Sequence, residues 1–72
     1  MPYTTYEVTV EKIYAGSAVV IVDGKWRARL LPADYHGPRN LIKGDARFKA
    51  LGELYSVEGT LCLRVKEVTE IL

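Results

Sequence analysis

Apolar and polar residues alternate in this chain with a period of two, in several short stretches. Tyr6, Val8 and Val10 are separated by Glu7, Thr9 and Glu11; Ala46, Phe48 and Ala50 by Arg47 and Lys49; Leu61, Leu63 and Val65 by Cys62 and Arg64. Successive side chains of a strand point to opposite faces, so each stretch predicts a strand with one buried face and one wet face. Two further strands, Ala18 to Val22 and Lys25 to Leu31, flank Asp23-Gly24. An Asp-Gly pair readily supplies the positive φ angles of a two-residue hairpin loop. Glu58-Gly59 is expected to join the last two strands in the same way.

Between the third and fourth strands, Pro32, Gly37 and Pro38 make the stretch from Pro32 to Asn40 a loop, because proline and glycine break both helix and sheet. Leu30 to Tyr35 and Pro38 to Lys43 have room for one short helical turn each, well below the roughly 11 residues of an ordinary helix. The reading is therefore all-β: a small five-stranded antiparallel barrel, whose closure removes exposed strand edges.

With 72 residues, the chain has room for one domain, residues 1–72, and one modest core. At 49% hydrophobic and 26% charged it has a globular balance, with no repeat, linker or low-complexity tract. The longest apolar run, Ala18 to Val22, falls far short of the roughly 20 residues that span a bilayer. The segment from Met1 to Thr5 lacks the basic and apolar parts of a secretory signal. A single cysteine, Cys62, allows no intrachain disulfide. Together these predict a cytoplasmic protein without a membrane partner. The formal net charge of +1 is too small to indicate an anionic partner, so only the distribution of charge can do so.

Ile13-Tyr14-Ala15-Gly16-Ser17-Ala18-Val19-Val20, the Gly44-Asp45 pair before Ala46 to Ala50, and the turn before Gly59 to Val65 together bear on a family. In these features the chain resembles the oligonucleotide/oligosaccharide-binding (OB) fold, and in particular the RNA-binding repeat of the largest protein of the bacterial small ribosomal subunit. The resemblance covers nearly the whole chain and implies a ligand platform on the outer surface of strands two and three. It is incomplete. Ala18 stands where the family usually has a stacking aromatic, and no histidine lies between Arg27 and Pro32 to match the one in the family's third strand.

If Asp23-Gly24 is a two-residue loop, Lys25 lies opposite Val22, Arg27 opposite Val20 and Arg29 opposite Ala18, while Trp26, Ala28 and Leu30 point inward. Three cations beside Val20 and Val22 then share the outer face. That stripe is open to two readings, a contact surface for backbone phosphates and bases or a solvated barrel edge. Lys12 and Tyr14 stand near the end of strand one. Tyr35, His36 and Arg39 occupy the loop, as stacking groups over the platform or as an anchored tyrosine beside a solvated histidine. The same exercise at Glu58-Gly59 sets Cys62 opposite Tyr55, Arg64 opposite Glu53 and Arg47 opposite Glu70, which predicts cross-strand ion pairs. Trp26 and Phe48 are read as core.

Catalytic chemistry has few candidates. There is one histidine, and Asp34 with His36 supplies two ligands where zinc sites use three or four. The six glycines are dispersed and form no phosphate loop, so no cofactor or metal is expected. The functional expectation is a non-catalytic domain that binds single-stranded nucleic acid, RNA favoured, with little sequence preference. Its candidate contacts are Lys12, Tyr14, Val20, Lys25, Arg27, Arg29, Tyr35, His36 and Arg39, extended by Arg64 and Lys66. The alternative is a protein-interaction module or small accessory subunit.

Overall fold

The computed structural model describes residues 3–72. Met1 and Pro2, part of the segment read for a secretory signal, lie outside the described residues. Five strands form around the predicted stretches: β1 (Thr4–Tyr14), β2 (Ser17–Val22), β3 (Trp26–Leu30), β4 (Arg47–Val57) and β5 (Thr60–Ile71). They close into a barrel in the order β1-β2-β3-β5-β4. All neighbours are antiparallel except β3 and β5, which run parallel through Arg29↔Cys62. This corrects the expectation of a purely antiparallel barrel. A closed ring with an odd number of strands cannot alternate direction all the way round, so one neighbouring pair must be parallel.

The inward phases read from the alternation hold in the core. Val8, Val10, Phe48 and Val65 are completely buried, and Ala28, Leu30, Ala50 and Leu63 nearly so. Tyr6 and Leu61 pack against this cluster from its margin. β4 and β5 extend well beyond their alternating stretches, and their register shifts twice, between Lys49 and Ala50 and between Leu51 and Gly52, where Thr69 and Lys66 of β5 have no ladder partner in β4. Such bulges hide strand continuity from a period-two reading, and they bend the long strands so that the sheet can close. At the second shift the β5 backbone presses on Gly52, where a Cβ would overlap the Arg64 carbonyl.

Both predicted turns form with two successive positive φ angles, 55° and 72° at Asp23 and Gly24, 51° and 84° at Glu58 and Gly59. After Glu58-Gly59 the ladder resumes at once, Val57 opposite Thr60. After Asp23-Gly24 it does not. The Lys25 amide donates to the Val22 carbonyl at 3.1 Å, yet Val22 pairs with Trp26, so Lys25 is one residue more than a two-residue loop would have. The pairs are therefore Trp26↔Val22, Ala28↔Val20 and Leu30↔Ala18 instead of those expected.

This slip corrects one candidate contact: Val20, like Val22, is completely buried. All of Ala18 to Val22 is apolar, so the segment can present either edge to the core, and turn length decides which. Trp26 departs from expectation in another way. It pairs with an inward valine but is the first residue of β3, and it is 40% exposed.

The loop between β3 and β4 holds two single 3₁₀ turns, Pro32–Asp34 and Arg39–Leu41. Tyr35 pins it to the barrel. Its hydroxyl donates to the Pro38 carbonyl at 2.5 Å, its ring meets Phe48 edge-on at 6.4 Å, and the next amide, His36, donates to Val65 at 3.1 Å. No helix of the described residues is long and apolar enough to cross a membrane.

Candidate functional site

The corrected register builds a different outer face from the one expected. Lys12 on β1 is in register with Val19 on β2, and Val19 with Arg29 on β3, so two cations flank a half-buried valine across three strands. At ordinary ladder spacings, the Cα atoms of Lys12 and Arg29 stand about 10 Å apart. The neighbouring row is Thr9, Ile21 and Arg27. Val19 and Ile21 thus take the place expected for Val20 and Val22.

Beside these rows, Tyr14 is 51% exposed, and the Lys12 ammonium lies 5.7 Å from the centre of its ring. Glu11 falls in a register shift of β1 between Val10 and Lys12, with no ladder partner in β2. Glu11, Lys12, Tyr14, Val19 and Arg27 line an open depression of about 270 Å³. Tyr14 also borders a second concavity, an apolar cleft of about 210 Å³ at the barrel end. Ile13, Leu30, Leu31, Ile42 and Tyr35 form its walls, and Arg39 is its one charged lining residue.

The other candidates are dispersed or engaged. Lys25 leans over the Trp26 ring at 4.4 Å, and Lys66 over the Tyr3 ring at 4.7 Å. His36 is exposed, and lines neither concavity. Tyr35 faces the cleft, held by its own hydrogen bond, so the reading of an anchored loop describes it better than that of a stacking platform. Arg27 faces Ile21 across the hairpin and reaches past β2 to Glu11 on β1 at 3.2 Å. Both side chains are largely solvated, so the pair is weak, about 0–1 kcal/mol. For Arg29, no ion pair forms among the described residues.

Arg64 forms the expected pair with Glu53 at 2.8 Å and a second with Asp34 at 3.5 Å, and stacks on Tyr55 at 4.7 Å. Two carboxylates thus offset its charge. Arg47 pairs with Glu7 at 2.5 Å, and it is Lys49 that faces Glu70 at 3.8 Å, because two extra residues in β5, Lys66 and Thr69, displace the expected register. Cys62 lies in the outward phase but is buried, flanked in the ladders by Tyr55 and Arg29. Among the described residues no three His, Cys, Asp or Glu side chains are grouped to hold a metal.

Asp34 fastens the loop to β4 and β5 by accepting a hydrogen bond from the Tyr55 hydroxyl. That bond first, then desolvation and the charge of Asp34, push the Tyr55 hydroxyl up to about 12. The folded state therefore holds its proton more tightly than an unfolded chain with the ordinary value of 10.0. The resulting stabilisation is complete below pH 10 and is lost as pH rises through about 12. Denaturant unfolding across that window is expected to show falling stability in the native chain and a flatter profile in Tyr55→Phe. Parallel profiles would detach Tyr55 from Asp34.

The fold and surface define a small all-β closed barrel of five strands, compatible with an OB-like fold, carrying a cationic and aromatic outer face on β1 to β3. No protein-family model, curated protein or solved structure matches this chain, and the resemblance to the ribosomal RNA-binding repeat gains no support from these comparisons. Val19, Ile21 and Glu11 escaped the sequence reading because their placement depends on the slip at Lys25 and the bulge at Glu11. The one available signal was that Ala18 to Val22 is apolar at every position and so leaves its face open.

Proposed function

We propose that this domain binds single-stranded nucleic acid, RNA favoured, on the outer face of β1, β2 and β3, without catalysing a reaction. The observation that carries the reading is the row Lys12, Val19 and Arg29 beside half-exposed Tyr14. Two flexible cationic side chains on strands either side of Val19 can reach phosphates of one strand, and an exposed ring beside them gives a base a surface on which to stack. Binding of this kind is salt-dependent and tolerant of sequence, because phosphates attract the cations and every base has a flat face. Arg27 and Lys25 add to the local field, Arg27 in competition with Glu11. A cytoplasmic setting suits a nucleic-acid ligand and the unpaired Cys62.

Reversing both Lys12 and Arg29 to glutamate is expected to weaken binding of a short single strand at least about tenfold at low salt, and to reduce the salt slope by about 1.4, two contacts at about 0.7 each. Both side chains are exposed, so the circular dichroism spectrum and thermal transition should not change. Fluorescence anisotropy of labelled RNA and DNA measures the effect; unchanged affinity would remove this face as the contact surface. Lys12 and Arg29 make a sharper test than Arg27 and Arg29, since Glu11 already offsets part of Arg27.

One observation favours a second reading, a protein-interaction module. The apolar cleft has exposed Ile13 at its edge, and a partner's apolar side chain would fit it. Association that persists at high salt and is abolished by Ile13→Asp, with nucleic acid affinity absent, would favour that reading.

A further inference from the structure

The depression on the outer face contains one group that phosphate binding does not use. Glu11 puts a carboxylate among Lys12, Tyr14 and Arg27, and an acid there repels phosphate. The register shift between Val10 and Lys12 places it there, and bulges commonly aim a side chain toward a site. Its Oε2 accepts from Arg27 at 3.2 Å. A carboxylate offers about four acceptor positions, so the weak pairing with Arg27 leaves capacity for a ligand's donors.

We infer that Glu11 makes this depression selective for guanine in an otherwise sequence-tolerant strand, with the base stacked on Tyr14 and its Watson–Crick edge on the Glu11 carboxylate. The inference rests on the nucleic-acid reading of this face. Guanine alone carries two adjacent N–H donors on that edge, N1–H and the N2 amino group, matching the two oxygens of a carboxylate. Adenine and cytosine place a ring-nitrogen acceptor beside their single amino group. Uracil sets its one N–H between two carbonyls. In each of those cases an acceptor would face the carboxylate, and an unpaired polar edge is costly once the base is stacked. Lys12 and Arg29 are left to hold the flanking phosphates.

The test uses uridine-rich single strands that differ at one central position, guanosine, inosine, adenosine, cytidine or uridine, titrated against the intact protein and against Glu11→Gln. Guanosine is expected to bind about tenfold more tightly than adenosine, the scale of one good bidentate base contact. Inosine, which lacks the N2 amino group, should fall between them. In Glu11→Gln the guanosine preference should shrink to less than about threefold, because the amide replaces one acceptor with a donor. Glu11 is exposed, and an unaltered thermal transition would establish that the variant folds.

Equal affinity of the native protein for all five strands overturns the base preference and leaves the nucleic-acid reading standing. Absence of binding to any of them overturns both. If Glu11→Gln strengthens binding to all strands alike, Glu11 only neutralises Arg27, and the inference also fails.

Discussion

Phe48→Ala is expected to remove a third or more of this chain's stability at 25 °C. The ring is completely buried at the centre of the barrel, with Tyr35 edge-on to it at 6.4 Å. Removing such a side chain forfeits its transfer free energy and leaves a cavity that a closed barrel cannot collapse to fill, a loss of about 3–5 kcal/mol. A domain of this length has only about 4–11 kcal/mol in total at ordinary per-residue stabilities, so the loss is a large share of the whole. The residue also links two elements. Without it, Tyr35 loses its edge-on aromatic partner. Urea unfolding followed by circular dichroism should show the midpoint falling by a third or more; a loss under about 1.5 kcal/mol would place the ring outside the core.

The Gly52→Ala variant is expected to be destabilised by about 3 kcal/mol, through the backbone and not the core. The added methyl would meet the Arg64 carbonyl oxygen of β5, which is main chain and cannot rotate away. Relief requires β4 and β5 to separate at the register shift that bends both strands. Forced expansion of a well-packed interior typically costs about 1–3 kcal/mol, and a clash against fixed backbone belongs at the upper end. A glycine inside a strand often marks such a close approach. The hydrogen-bonded amides of Leu51 to Leu54 should then exchange faster than those of β2. Wild-type stability in this variant would mean that the strands do not approach so closely there.

These two positions show different degrees of legibility. Phe48 could be identified as core from its neighbours alone, since Ala46, Phe48 and Ala50 alternate with charged residues. Gly52 could not, because its role arises from a strand that lies beside it only after the barrel closes. The candidate surface divides in the same way. Arg27 and Arg29 were identifiable as outward from turn position, whereas Lys12 and Tyr14 carry the inward phase of Tyr6, Val8 and Val10 and reach the same face only through the bulge at Glu11. Val20 was assigned to the wrong side, and the Asp34 partner of Arg64 was not legible, because it comes from the loop between β3 and β4.

The sequence by itself determined the number of strands, the two β-turns, the loop between β3 and β4, and the inward phase of every strand in which apolar and polar residues alternate. Those are local properties, decided by side-chain period and backbone conformational preference. Tertiary structure decided the register of β2 against β3, the parallel contact between β3 and β5, the bulges at Glu11 and Gly52, and so which residues meet on the outer face. A uniformly apolar strand and a turn able to carry one extra residue are compatible with two registers. Closure of the barrel around Phe48 selects between them, since only one buries Val20 and Val22.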